Sequence, residues 1–197
     1  MKMDKINIGH VSKAIKGIKA FNKYFRDINP RIPNKIVGEM GEYYVLRELH
    51  RKGCRDIAHK GGHSGFDILL TNKGIKIEVK TSLLKNEGLF PEGINFYGWR
   101  VKTRGQKKDE KFDILICVAL DRYFQDPKFY IFTYDEAYSA ADVNLGRFKS
   151  VQKKINLFEN KDALKKAERA KPEYVTDLDR LVTKTPARFL NQWRKLI

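Results

Sequence analysis

Residues 112–120 read FDILICVAL, and from Ile114 to Leu120 every side chain is apolar. A run that short cannot cross a bilayer as a helix, which takes about 20 apolar residues. It suits a strand covered on both faces, because neighbouring side chains point to opposite sides and all of them must leave water. Burying such a strand requires a layer of structure on each side of a sheet.

The flanking segments can supply those layers. Residues 11–25 place Val11, Ala14, Ile15, Ile18, Phe21 and Phe25 on one helical arc, with Lys13, Lys16, Lys19 and Lys23 as a solvated stripe opposite. Asn29-Pro30-Arg31-Ile32-Pro33 breaks that helix. A second helix is expected over 35–52, with Val45, Leu46 and Leu49 inward and Gly53 as its stop. A Gly-rich loop, Lys60 to Gly65, leads to two alternating runs joined at Asn72-Lys73-Gly74, which read as a β-hairpin. Strands are expected over 94–102 and 128–133, and Thr133 to Glu136 offers a capping box for a helix. Residues 147–158 fit strand or helix equally. Residues 160–170 and 186–196 read as helices, the latter capped by Thr185, opened by Pro186, and carrying Phe189, Leu190 and Trp193 on one face. The order predicts an α/β sandwich around a mixed sheet.

Charge narrows the partners. Forty Lys and Arg against 24 Asp and Glu give a net +16, so a polyanion is favoured, nucleic acid ahead of an anionic membrane surface. Cys54 and Cys117 are far apart and form no zinc or disulfide pattern, which fits a reduced cytoplasmic chain. The first residues contain no apolar segment of the signal-peptide kind.

Charges inside the hairpin carry the chemistry. Strand alternation sends Ile75, Ile77 and Val79 to one face and Lys76, Glu78 and Lys80 to the other. Pairing across the turn brings Asp67 close to Glu78 and Lys80. Carboxylates held that close raise one another's pKa or require a cation. An all-oxygen donor set selects a hard ion, Mg²⁺ above all. Such an ion activates water for attack on phosphorus, and an adjacent lysine can orient that water. An exposed ion-pair array on a solvated strand is the alternative reading of Glu78 and Lys80.

Asp67 followed after ten residues by Glu78-Val79-Lys80 resembles the signature of the PD-(D/E)XK nuclease superfamily, with Phe66 standing where the family name puts proline. Gly38-Glu39-Met40-Gly41-Glu42-Tyr43-Tyr44-Val45, with Leu49 and Gly53 beyond, resembles the acidic helix of archaeal Holliday-junction resolvases and related endonucleases. The likeness covers about residues 35–135. It implies a restriction-endonuclease-like α/β/α sandwich around a mixed central sheet. In that frame residues 1–34 are an N-terminal helical addition, 35–135 the catalytic core, and 136–197 a C-terminal helical part packed on it in one compact domain.

The resemblance further implies Mg²⁺-dependent hydrolysis of double-stranded DNA, with Mn²⁺ as a substitute. Asp67, Glu78 and the Val79 carbonyl would be metal ligands and Lys80 would sit at the nucleophilic water. The helix would add Glu42, with Glu39 as second choice. The role implied is a type II restriction endonuclease or its cleaving subunit, acting as a homodimer or with a larger recognition subunit. A structure-selective junction or repair nuclease, and a catalytically silent DNA-binding module, are the alternatives. Phosphate contacts are expected from His63 and Ser64 in the Gly-rich loop. Others are expected from Arg100, Lys102, Arg104, Lys107 and Lys108, interleaved with Tyr97 and Trp99; a merely solubilising loop is the plainer reading of that basic stretch.

Overall fold

All seven residues of FDILICVAL from Ile114 to Leu120 are buried, in the interior of a mixed sheet. The computed structural model describes residues 6–28, 32–60, 65–85, 89–102, 112–139 and 152–196. Its elements run α1 (Ile8–Ile28), α2 (Asn34–Arg51), β1 (Ile57–His59), β2 (Ile68–Leu70), β3 (Ile75–Leu83), β4 (Phe96–Lys102) and β5 (Ile114–Leu120). The chain continues through β6 (Lys128–Thr133), α3 (Tyr134–Ser139), β7 (Gln152–Phe158), α4 (Lys161–Ala170) and α5 (Asp177–Lys184).

Five strands form the main sheet in the order β1-β2-β3-β5-β6, with β3 and β5 parallel and the other neighbours antiparallel. The fold is the mixed α/β class expected. β5 divides its side chains between two cores, as alternation requires. Ile114, Ile116, Val118 and Leu120 join Val45, Leu46 and Leu49 of α2 and Val11 and Ile15 of α1. Leu115, Cys117 and Ala119 face the other way, onto Trp99, Val101, Ile155 and Leu157 of a β4–β7 ribbon and onto Leu178 and Val182 of α5. The second layer is therefore a two-stranded ribbon backed by a short helix.

That ribbon has an outer edge to protect. α5 covers it: Asp179 Oδ1 accepts from the Asn156 amide (2.6 Å) and Thr183 Oγ1 from the Phe158 amide (3.2 Å). Burial pushes the Asp179 carboxyl up to about 6, against the hydrogen bonds it accepts from Asn156 and Thr176.

Some expectations are corrected. On α1 the inward arc is Val11, Ile15, Ile18 and Asn22, so Phe21 falls off it and is 47% exposed. Asn22 takes the inner place because its amide donates to the Arg122 carbonyl at 3.1 Å. Residues 186–196 are not a helix. They contain two 3-10 turns, Pro186–Arg188 and Trp193–Lys195, on either side of Leu190, which bridges to Tyr130. Phe189 packs on the ribbon side of the sheet and Trp193 on the helix side, so the segment must straddle the β6 edge. It does so through Ile131 N to Phe189 O (2.9 Å) and Asn191 N to Phe129 O (2.8 Å). Residues 152–158 resolve as strand, and β1 and α5 are elements the sequence reading did not contain. Among the described residues no helix is long and apolar enough to cross a membrane.

Candidate active site

The site begins where β2 and β3 part. Their ladder pairs Leu70 with Ile75 and Ile68 with Ile77, closed by a turn in which Gly74 has φ +67°, a conformation that favours glycine. Asp67 lies one residue beyond the last pair. Its amide still donates to Ile77 O (2.9 Å), and its carboxylate Oδ2 accepts from the Val79 amide at 2.8 Å. A side chain thus stands in for the main-chain acceptor that the departing strand no longer offers. Phe66 fixes this departure by burying its ring in the ribbon-side core, with Lys60 Nζ 4.5 Å from the ring centroid. The N–H and C=O of one strand residue point to the same edge, so the Val79 carbonyl also looks toward Asp67.

Glu78 and Lys80 project from the ribbon-facing side of β3, and Glu78 Oε1 accepts from Lys80 Nζ. Lys80 is registered against Cys117, a fully buried thiol whose pKa burial pushes well up. Burial raises the Glu78 carboxyl to about 7, with the charges of Asp67 and Glu42 adding to the rise and Lys80 opposing it. Burial likewise raises Asp67, opposed by the Val79 hydrogen bond and Lys80 and reinforced by Glu42. Burial pulls Lys80 down, but Glu78 and Asp67 more than offset it, so the amine stays protonated.

Glu42 arrives on α2, and Gly41 sets how close it comes. A Cβ at Gly41 would stand 1.8 Å from Thr81 Oγ1, so only glycine lets the helix lie this tightly on β3. Glu42, with its side chain 17% exposed, holds His59 of β1 at 2.5 Å, Oε2 to Nε2. Glu39 is 43% exposed beside Lys35 at 4.0 Å, and its charge bears on Tyr43. His59 is the site residue that sequence reasoning missed. Its only signal was the short apolar run Ile57-Ala58 before it, too brief to mark as a strand.

The structure brings together Asp67, Glu78, Lys80, Glu42 and His59. Among the described residues no three His, Cys, Asp or Glu side chains already form a metal cage, since Glu78 is turned to Lys80 and Glu42 to His59. The donor chemistry still fits a hard divalent ion: two half-buried oxygen acids with raised pKa values, and a third within electrostatic reach. Arg100 is exposed on β4, where the Lys102 backbone also lies. Trp99 is turned inward and donates from Nε1 to Val118 O at 3.1 Å, so it is no platform for bases. His63, Ser64, Arg104, Lys107 and Lys108 lie outside the described residues.

No family model matches this chain, and no curated protein matches it. Among solved structures it is similar to a bacterial homing endonuclease at 17% identity, with a TM-score of 0.41, over 78% of this chain and 95% of that one.

Proposed function

We propose that this chain is a divalent-metal-dependent DNA endonuclease whose reacting centre is Asp67, Glu78 and Lys80. One observation carries the proposal: two half-buried carboxylates, both pushed above their ordinary range, meet a half-buried ammonium where β2 leaves β3. Burying acids side by side costs free energy that the fold does not need, and perturbed pairs of this kind concentrate at working sites. Asp67 and Glu78 would hold the ion, with the Val79 carbonyl and Glu42 beside them. Such an ion, when bound, polarises a phosphodiester and acidifies an attacking water. Lys80 stays protonated, orients that water against the phosphate and offsets charge developing on its oxygens. His59 holds the Glu42 side chain in place, as outer partners of ligands do. The net charge of +16 favours a polyanionic substrate.

The test is digestion of mixed plasmid and genomic DNA with Mg²⁺, followed by sequencing of the ends. Ends sharing one sequence assign a restriction role. Ends of unrelated sequence, with preferential cutting of four-way junctions, assign a structure-selective nuclease. No cutting with Mg²⁺ or Mn²⁺, while Lys80→Ala binds DNA as wild type does, leaves a binding module and overturns the proposal.

A further inference from the structure

Three cations meet on the outer face of the β4–β7 ribbon. Arg100 stands directly opposite Lys154 in the ladder, and both are exposed. Side chains so opposed have Cβ atoms about 5 Å apart, where like charges destabilise a sheet. Lys85 joins from the other edge of β4, paired with Phe96 by two main-chain hydrogen bonds of 2.9 Å. Burial, with the charges of Arg100 and Lys154, holds its amine below the usual lysine range. Among the described residues none of the three has an acidic partner. The ribbon does not need them for packing, because Trp99, Val101, Ile155 and Leu157 fill the core from its opposite face.

Their position relates them to the candidate site. Ser82 follows Lys80 by two residues on the same face of β3, and its Oγ accepts from the Gly98 amide at 3.1 Å. β4 runs antiparallel to this end of β3, as the Lys85–Phe96 bridge shows. Continuing from Gly98 to Arg100 therefore returns along β3 to about the level of Lys80.

We infer that Lys85, Arg100 and Lys154 form a phosphate-binding surface that seats the backbone of double-stranded DNA beside the Asp67–Glu78–Lys80 edge. The inference takes its ligand from the nuclease reading and adds to it a contact that supplies affinity and register without reading bases. The inward Trp99 favours duplex over unpaired strands, which need exposed aromatic faces to stack on.

The experiment compares wild type with a Lys85→Gln/Arg100→Gln/Lys154→Gln variant and a control, Lys161→Gln/Lys165→Gln/Lys166→Gln, which removes as many exposed charges from α4. Affinity for duplexes of several sequences, and for anionic phospholipid vesicles, is measured without divalent ions across a salt series, and cleavage is measured separately with Mg²⁺. The ribbon variant is expected to bind all sequences about tenfold or more weakly, with a salt slope lower by about 2–3, one phosphate contact per cation. It should keep or raise the melting temperature, since like-charge repulsion is removed. The control should match wild type. A ribbon variant with wild-type affinity and slope overturns the surface even where wild type cuts DNA. Loss of binding to anionic phospholipid vesicles with DNA binding intact overturns it in favour of a membrane. A protein that never cuts, yet binds duplex through these three residues, sinks the nuclease reading and upholds the surface.

Discussion

At Asp67 stability and chemistry oppose each other. The carboxyl is raised by burial and by Glu42, so its charge is a cost to the metal-free fold, while among the described residues its structural task is to accept from the Val79 amide. Asparagine can accept that bond without the charge. Asp67→Asn is therefore expected to melt at the wild-type temperature or higher; a drop of more than about 1 kcal/mol in denaturant stability would show the carboxylate to be a structural anchor. Glu78 sets the pH dependence. Its folded pKa of about 7 lies above the unfolded value, so its contribution is present at low pH and lost as pH rises through 7. Asp179 acts in the same direction through about 6. Glu136, drawn down mainly by its hydrogen bond to Lys195 against the opposing effect of burial, acts oppositely and only in more acidic solution. Without divalent ions the protein should be less stable at about pH 8 than at about pH 5.5, by about 2 kcal/mol from Glu78 alone. Mg²⁺ should recover part of that loss at the higher pH in wild type and not in Asp67→Asn. Urea midpoints at the two pH values, with and without Mg²⁺, check both statements.

Among the elements, α2 and β3 decide whether the acids meet. Gly41→Ala gains helix propensity worth about 1 kcal/mol, but its methyl overlaps Thr81 Oγ1, and overpacking of that kind costs about 1–3 kcal/mol. The expected outcome is net destabilisation with reduced cleavage, because Glu42 moves with the helix; Thr81→Ala added to it should restore part of both. Unchanged stability in Gly41→Ala would mean the helix seat is looser than described. The hairpin was legible because alternation puts Glu78 and Lys80 on one face, and pairing across the turn brings Asp67 to them. β5 was legible because an unbroken apolar run leaves few alternatives. The C-terminal segment was misread because Phe189 and Trp193 at helical spacing also fit a chain that sends them to opposite faces of a sheet. α5 escaped notice as a helix of two turns, although Thr176 and Asp179 form a capping box there.

For the molecule as a whole, net charge pointed to a polyanion without saying which surface would meet one. The pairing of β4 with β7 joins residues fifty or more positions apart, as in Trp99 with Ile155, and no local pattern announces it. That pairing covers the second face of β5 and brings Arg100 against Lys154 near the acidic edge. His59 likewise became meaningful only when β1 was placed beside β2, with Glu42 reaching it from another layer. The measurement that bears most directly on the account is plasmid cleavage by wild type and Asp67→Asn side by side with Mg²⁺, with duplex affinity measured on both. The account predicts cutting by wild type, at least a hundredfold loss in the variant as for removal of a principal charge-stabilising group, and equal or tighter DNA binding by the variant. Equal cutting by the two proteins would contradict it.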